Sequence, residues 1–410
     1  MPIITLPDGS QREFKSAITP ADVAADIGPG LAKAALGARV NGELVGLDHK
    51  IEEDADMSLI TPPRGDDPCD PDALWLLRHS AAHVMAEAVQ QAIPGAMLVY
   101  GPPVEEGFYY DIALPEGASI STDDFPDLES RMAKIIEADR PFTRSEMSID
   151  DGLERLKREG SKYKLDNAER AIEAGADGLS WYATGEPNQD WDDLCKGPHL
   201  PSTGKIGGFK IMSVAASSWH GDVDSDRLTR LYGTAFPDRK RLAKHLEQLE
   251  EARKRDHRVI GRKLGLFKID EMVGQGLVLW TPAGAIVRQE LQDFIGHELK
   301  RQGYEQVFTP HIAKLDLFRT SGHFPYYQDS QYPPVVDPEA MRQLVNENCT
   351  CGELSNRLRE GDLDGYLLKP MNCPMHIRIF SSEQRSYRDL PVRLAEFGTV
   401  YRYEQSGELG

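Results

Sequence analysis

Apolar and polar residues alternate in short runs over the first sixty positions, which predicts small strands around a helix. Strand-like Ile-Thr-Leu (4–6) meets the turn Pro-Asp-Gly-Ser (7–10), and a helical stretch follows near ITPADVAADIG. ALGARVNGELVGL reads as a hairpin, because Asn41-Gly42 supplies the two positive-φ residues of a tight turn. Asp54-Ala55-Asp56 and MSLIT give a last turn and strand, closing a mixed α/β module over residues 1–63. TPPRGDDPCDPDA (61–73) is rich in Pro and Asp and reads as a linker. Helical periodicity then runs from about Asp72 to Ala92 and stops at Pro94-Gly95. Short strands and helices alternate to about 236. Residues 237–262 form a charged run with few apolar positions, predicting one long helix that bridges domains. In 263–410, Ile286, Leu291, Phe294, Ile295 and Leu299 recur at helical spacing, and a strand ending at Pro310 follows. No internal repeat is present. The expected class is α+β and multidomain, with units at 1–63, 64–236, 237–262 and 263–410.

Composition narrows the function classes. Apolar residues make up 40 % and charged residues 28 % of 410 positions, as in globular proteins. No run approaches the ~18–20 apolar residues of a membrane helix. The first residues lack the basic-then-apolar pattern of a secretory signal, so the expectation is a cytoplasmic protein without membrane association. Five cysteines make thiols or metal ligands a better expectation than a disulfide framework. A net charge of −19 argues against phosphate binding by the chain as a whole. A basic stripe at Arg253, Lys254, Arg255, His257, Arg258, Arg262 and Lys263 is either a solvated helix face or a local RNA contact.

Two groups of residues carry chemistry. His79 and His83 lie four apart on the predicted helix, which places both rings on one face. Asp193-Leu-Cys195-Lys-Gly-Pro-His199 adds a thiol and a third imidazole, and Pro198 makes that segment a loop rather than a helix. Three chemistries fit these groups: a four-ligand zinc site, a covalent Cys–His pair, or a metal-free positioned water attacking an ester. The second group is LLKPMNCPMHIRIF (367–380) followed by RSYRDLPVRLAEFGTVYRYEQSGELG (385–410).

The order HSAAH, GPPVEEGFYYDI (101–112), SKYKL (161–165) and DLCKGPHL (193–200) resembles bacterial threonyl-tRNA synthetases. The 1–63 module resembles the β-grasp TGS domain. The resemblance implies an editing domain that hydrolyses Ser-tRNA(Thr) by a metal-free, water-mediated route, whereas related alanyl editing domains hold zinc. By position, the implied editing residues are His79, His83, Tyr110, Lys164, Asp193, Cys195 and His199. His79 and His83 would orient water or substrate, and Lys164 and Asp193 would handle the charges of the seryl ester and terminal adenosine.

The same resemblance makes TPAGAIVRQELQDFIGHELKRQGYEQVFTPHI (281–312) motif 1 of a class II catalytic domain, the element through which homodimers form. Cys373 is then the first of three ligands to a catalytic zinc, with the others beyond residue 410. Arg402 would clamp the ATP α-phosphate and Glu404 would sit near adenine, with Mg2+ accompanying ATP. At Gly410, where many family members have histidine, the chain departs from the pattern. A rival zinc set is Cys349 and Cys351, from a long insertion at about 333–365, with Cys373 and His376. The implied activity is threonine–tRNA ligation from ATP, L-threonine and tRNA(Thr). Because the chain as given ends within motif 2, it is expected to be competent for editing alone. The competing expectations are a stand-alone aminoacyl-tRNA deacylase and a non-catalytic tRNA-binding paralogue.

Overall fold

Thr19 opens the first helix: its hydroxyl accepts from Asp22 N while the Asp22 carboxylate accepts from Thr19, a reciprocal cap. The computed structural model describes residues 2–222, 225–274, 276–336, 338–347 and 349–403. They fall into two compact units, 1–253 and 254–410.

In the first unit, β1 (Ile3–Thr5), β2 (Gln11–Glu13), α1 (Pro20–Ile27), α2 (Pro29–Ala34), β3 (Gly37–Val40), β4 (Glu43–Val45) and β5 (Ala55–Ile60) form the N-terminal module. Its sheet order is β2-β1-β5-β3-β4, with β1 and β5 parallel and the other pairs antiparallel. The predicted hairpin is present, Asn41 and Gly42 taking φ of 51° and 86° at the β3–β4 turn. Ile4, Val23, Ala38, Val40, Ile51 and Met57 make its own small core.

Next comes α3 (Pro71–Ala92), capped by Asp70, whose side chain accepts from Asp72 N at 2.9 Å, with Pro71 in its first turn. Nearly every side chain from Ala73 to Val89 is buried. It lies against a sheet of β6 (Met97–Tyr100), β7 (Pro103–Val104) and β8 (Gly107–Ala113), which two longer strands complete. Between them run α4 (Phe125–Glu137), β9 (Phe142–Met147), α5 (Ile149–Glu159), α6 (Lys162–Glu173), β10 (Leu179–Thr184) and β11 (Asp192–Leu194). The two long strands are β12 (Gly208–Ser218) and β13 (Arg227–Phe236), giving the order β12-β13-β8-β6, while β11-β10-β9 make a second sheet. All these pairings are antiparallel.

The single helix expected over 237–262 is two. α7 (Arg239–Lys254) ends, and α8 (His257–Lys263) restarts after Asp256, whose carboxylate accepts from Arg258 N at 2.7 Å. Aspartate is a poor interior residue and a good N-cap, so the backbone breaks there (φ −56°, ψ 118°). The basic stripe is thereby divided between two helices.

In the second unit, β14 (Phe267–Ile269) and β15 (Val278–Trp280) pair, and α9 (Pro282–Arg301) follows with Thr281 as its cap. Most of the apolar residues that revealed α9 are exposed: Ile286 at 65 %, Leu291 at 61 % and Phe294 at 62 %. A three-stranded antiparallel sheet joins Ile312–Lys314, Gly365–Leu368 and Val335–Val336, so the insertion supplies its edge strand. No helix among the described residues is long and apolar enough to cross a membrane.

Candidate active site

Helix α3 presents His79 and His83 one turn apart. Their rings lie 5.4 Å from each other, flanked by Trp75 at 4.7 Å from His79 and Trp191 at 5.5 Å from His83. Strand β11 pairs with β10 through Tyr182 and Asp193. Alternation along the strand buries Asp193, while its neighbour Asp192 pairs with Arg155 at 2.7 Å. The chain leaves β11 as the predicted loop, which brings Cys195 and His199 under α3. Cys195 Sγ lies 3.3 Å from His79 Nε2 and 3.4 Å from His199 Nε2. The ligand atoms of His79, His83, Cys195 and His199 all lie within 4.8 Å of one another.

The hydrogen bonds assign the protons. His79 Nδ1 donates to the Pro198 carbonyl at 3.1 Å, leaving its Nε2 lone pair facing the Cys195 thiol. Gly197 N–H donates to Cys195 Sγ at 3.3 Å. Ser80 Oγ accepts from Leu200 N at 3.0 Å and contacts His199 Nδ1 at 3.2 Å. His83 Nδ1 is buried without a hydrogen-bond partner, and its Nε2 lies 4.0 Å from Asp193 Oδ2.

Asp193 is the hub of a buried charge pair. Lys164, from the first turn of α6, reaches its Oδ1 at 2.6 Å, and Tyr110, from β8, donates to its Oδ2. Lys164 also donates to the Tyr110 oxygen at 3.0 Å. Burial sets the ionisation of the remaining groups. It lowers His79 to about 4 and drives His83 and His199 well below the ordinary 6.5. Burial also raises the Cys195 thiol to about 12 against the opposing Gly197 N–H, and raises the Tyr110 phenol beside Asp193. At neutral pH the site therefore holds three neutral imidazoles, a protonated thiol and one ion pair.

A cleft of about 1490 Å3 opens over these groups. His79, His83, Tyr110, Lys164, Asp193 and Cys195 line it; His199 stands behind, stacked 4.1 Å from His79. All seven residues expected of this site are thus within one region of the first unit. Ser80, Trp75, Trp191 and the Pro198 carbonyl were not singled out beforehand. Ser80 at least could have been, as it directly follows His79 in a helix that buries every side.

The second group is less complete. Cys373 is exposed at the start of the Cys373–Ser381 helix. The rival zinc set does not assemble among the described residues. His376 Nε2 bonds Glu396 Oε2 at 2.9 Å, Cys349 Sγ contacts the Thr350 carbonyl at 3.6 Å, and the Cys351 side chain lies outside them. Burial would raise Glu396, yet hydrogen bonds from His376, Thr309 and Lys369 hold it down to about 2. Arg402 Nε donates to the Pro370 carbonyl at 3.2 Å; Glu404 and Gly410 lie outside the described residues.

Three family models match this chain: the TGS domain over residues 2–61, the threonyl and alanyl tRNA synthetase second additional domain over 180–232, and the tRNA synthetase class II core domain (G, H, P, S and T) over 356–410. The threonine–tRNA ligase of Nitrosococcus oceani is 43 % identical over 409 residues, covering 100 % of this chain and 58 % of that protein. The enzyme of Thermus thermophilus is 44 % identical over 414 residues, covering 99 % and 58 %.

The chain matches the N-terminal part of threonine–tRNA ligases along essentially its whole length. It spans about three-fifths of the length of the curated relatives it matches, 58 % in both cases above. Among solved structures it is similar to the RNA binding domain of threonyl-tRNA synthetase from Cryptosporidium parvum Iowa II. That match has 36 % identity and a TM-score of 0.29, over 38 % of this chain and 32 % of that one, and nothing below rests on it. The second-additional-domain match contains Asp193, Cys195 and His199 but not the helix that carries His79 and His83.

Proposed function

We propose that the cleft of the first unit hydrolyses Ser-tRNA(Thr), within a protein that ligates L-threonine to tRNA(Thr) using ATP and releases AMP and diphosphate. The observation that carries this reading is the convergence on one cleft of neutral imidazoles with the buried Lys164–Asp193 pair. A neutral imidazole can accept a proton from water, and the unpartnered His83 Nδ1 is suited to a water or a substrate hydroxyl. In this reading Asp193 would pair with the amino group of the seryl ester, and Lys164 with the oxyanion that forms as water attacks its carbonyl. The covalent alternative would need His79 to take the proton as the thiol attacks, because burial raises the Cys195 thiol and leaves it protonated at neutral pH. Such a site is needed on energetic grounds. Serine lacks one methyl of threonine, and a binding pocket discriminates a methyl by only about 1–3 kcal/mol.

In deacylation assays the chain should hydrolyse Ser-tRNA(Thr) and spare Thr-tRNA(Thr). His83→Ala and Cys195→Ala should each slow hydrolysis roughly tenfold to a hundredfold. Unchanged rates in both variants would remove the site assignment. A second reading, a zinc ion on His79, His83, Cys195 and His199, is favoured by the approach of the four donors within 4.8 Å, a set that suits tetrahedral zinc. Under the metal-free reading, dialysis against 1,10-phenanthroline should leave the rate within about twofold, whereas a chelator-sensitive rate restored by zinc would establish the second reading.

For the ligation reaction, Cys373 is the residue of this chain that would hold a zinc ion. Bound there, zinc supplies an open position that recognises the amino and hydroxyl groups of threonine. Arg402 and Glu404 are the proposed ATP contacts, with Mg2+ accompanying the nucleotide. The exposed apolar face of α9 suits a homodimer contact. A cytoplasmic site of action completes this reading.

A further inference from the structure

The N-terminal module is built into the wall of the cleft rather than tethered beside it. Leu36 and Ile60 belong to the same buried cluster as Leu76, Leu77 and Val84 of α3, although the module has a separate core of its own. Arg39 on β3 clasps the start of α3: Nη2 reaches Asp70 at 2.6 Å and Nε reaches Asp72 at 2.5 Å. Gly37, two residues earlier, lies so close to α3 that a Cβ there would stand 2.7 Å from Leu76 Cδ1. Leu76 is one turn before His79 and Ser80, so β3 fixes the helix at the turn that precedes the site.

The module also comes near the loop opposite. A side chain added at Gly46, just past β4, would run first into the Asp48 carboxylate and would bring its Cβ to 3.8 Å from Pro198 Cβ. Pro198 supplies the carbonyl that takes the His79 Nδ1 proton. Downstream of the same loop, Lys205 Nζ donates to the Lys33 carbonyl of α2. The module thus holds α3, which carries His79, and is tied through Lys33 and Lys205 to the segment that follows the 195–200 loop.

We propose that the N-terminal module is a brace for the cleft, with Arg39 as the positioning residue that holds α3 so that His79 stays against the Pro198 carbonyl and keeps its Nδ1–H tautomer, and with Gly46 as the gap that lets the module close up to Pro198. Its kinetic consequence rests on reading the cleft as hydrolytic; its structural consequence does not. If the brace is loosened, the Pro198 carbonyl and His79 Nδ1 separate, the imidazole samples both tautomers, and its contact with the Cys195 thiol is lost, leaving the thiol more open to reagents.

The test uses the full chain with Arg39→Ala, Arg39→Lys and Gly46→Leu, each checked for cooperative unfolding. Three quantities are read: the ¹⁵N shifts of the His79 ring, the iodoacetamide alkylation rate of Cys195 followed by peptide mass spectrometry, and hydrolysis of 3′-seryl-adenosine. That small ester removes any contribution from tRNA contacts to the module. Arg39→Ala and Gly46→Leu should move the His79 shifts from the Nδ1–H pattern toward a mixture and raise alkylation about tenfold. They should lower kcat about tenfold with KM changed less than about twofold, and Arg39→Lys should recover only part of each effect, because one ammonium cannot span both carboxylates as the guanidinium does. Two variants that fold and leave the His79 shifts and Cys195 alkylation unchanged would overturn the brace. Shifts and alkylation that move while the unsubstituted chain fails to hydrolyse any seryl ester would support the brace and overturn the hydrolytic reading instead.

Discussion

Lys164→Met is expected to destabilise the first unit by about 3–5 kcal/mol and to slow seryl-ester hydrolysis by about a hundredfold to a thousandfold. The Lys164 and Asp193 side chains are only 8 % and 5 % exposed, and their charges lie 2.6 Å apart. Removing the ammonium leaves a carboxylate in the interior with a phenol as its main remaining donor, and that desolvation is the source of the large effect. Such a pair is not itself a strong source of stability, since its attraction is largely offset by the loss of hydration. The two statements give different predictions for single and double changes. Asp193→Leu alone should cost about as much as Lys164→Met, but the double variant should recover most of the stability while staying inactive. Urea unfolding of the three variants measures the first part and Ser-tRNA(Thr) deacylation the second. A Lys164→Met chain that loses under about 1 kcal/mol would show the pair to be solvated, contrary to its burial.

What could be read from the sequence was what lies close together along it. Asn41-Gly42 dictated the β3–β4 turn through the positive φ that both residues tolerate. The four-residue spacing of His79 and His83 needed only helical geometry, and Pro198 correctly kept Cys195 and His199 off a helix. Convergence across distance was a different matter. Lys164 meets Tyr110 across 54 residues, and Tyr110 meets Asp193 across 83. No local periodicity encodes that, and only family resemblance suggested these residues. The clasp of Arg39 on Asp70 and Asp72 was invisible for the same reason, because both acids sit in a stretch that reads as a linker. The break at Asp256 was local and still missed: the surrounding Lys, Arg and Glu residues favour a helix, and the one aspartate among them turned from interior position to cap. For α9, the spacing of Ile286, Leu291 and Phe294 correctly predicted a helix, but periodicity reports an apolar face and not what covers it.

The ionisation of the cleft leads to a second large effect, a stability plateau bounded on both sides by buried groups. On the acid side, His79 has an ordinary value of 6.5 and a folded value of about 4. Above about pH 6.5 both folded and unfolded chains hold it neutral, and nothing is lost. Between 6.5 and 4 the unfolded chain takes up the proton that the buried ring refuses, so stability falls as pH falls. The drop from 6.5 to about 4 corresponds to about 3 kcal/mol from His79 alone. His83 and His199 are lowered too, and add loss of the same sign. On the alkaline side the order reverses. The Cys195 thiol is raised from 9.0 to about 12, so above pH 9 the unfolded chain releases a proton that the folded chain retains, and stability falls as pH rises. Urea midpoints of the full chain at intervals from pH 4 to 10 should therefore be level between about 6.5 and 9 and decline on either side. His79→Gln should make the acid limb shallower and leave the share of His83 and His199, and Cys195→Ala should make the alkaline limb shallower, each without altering the other. The hydrolytic rate should be level across the same interval, because the imidazoles that accept protons are already neutral there. An inflection of that rate near pH 6.5 would mean that His79 and His83 titrate as water-exposed histidines do, contrary to the burial of both rings.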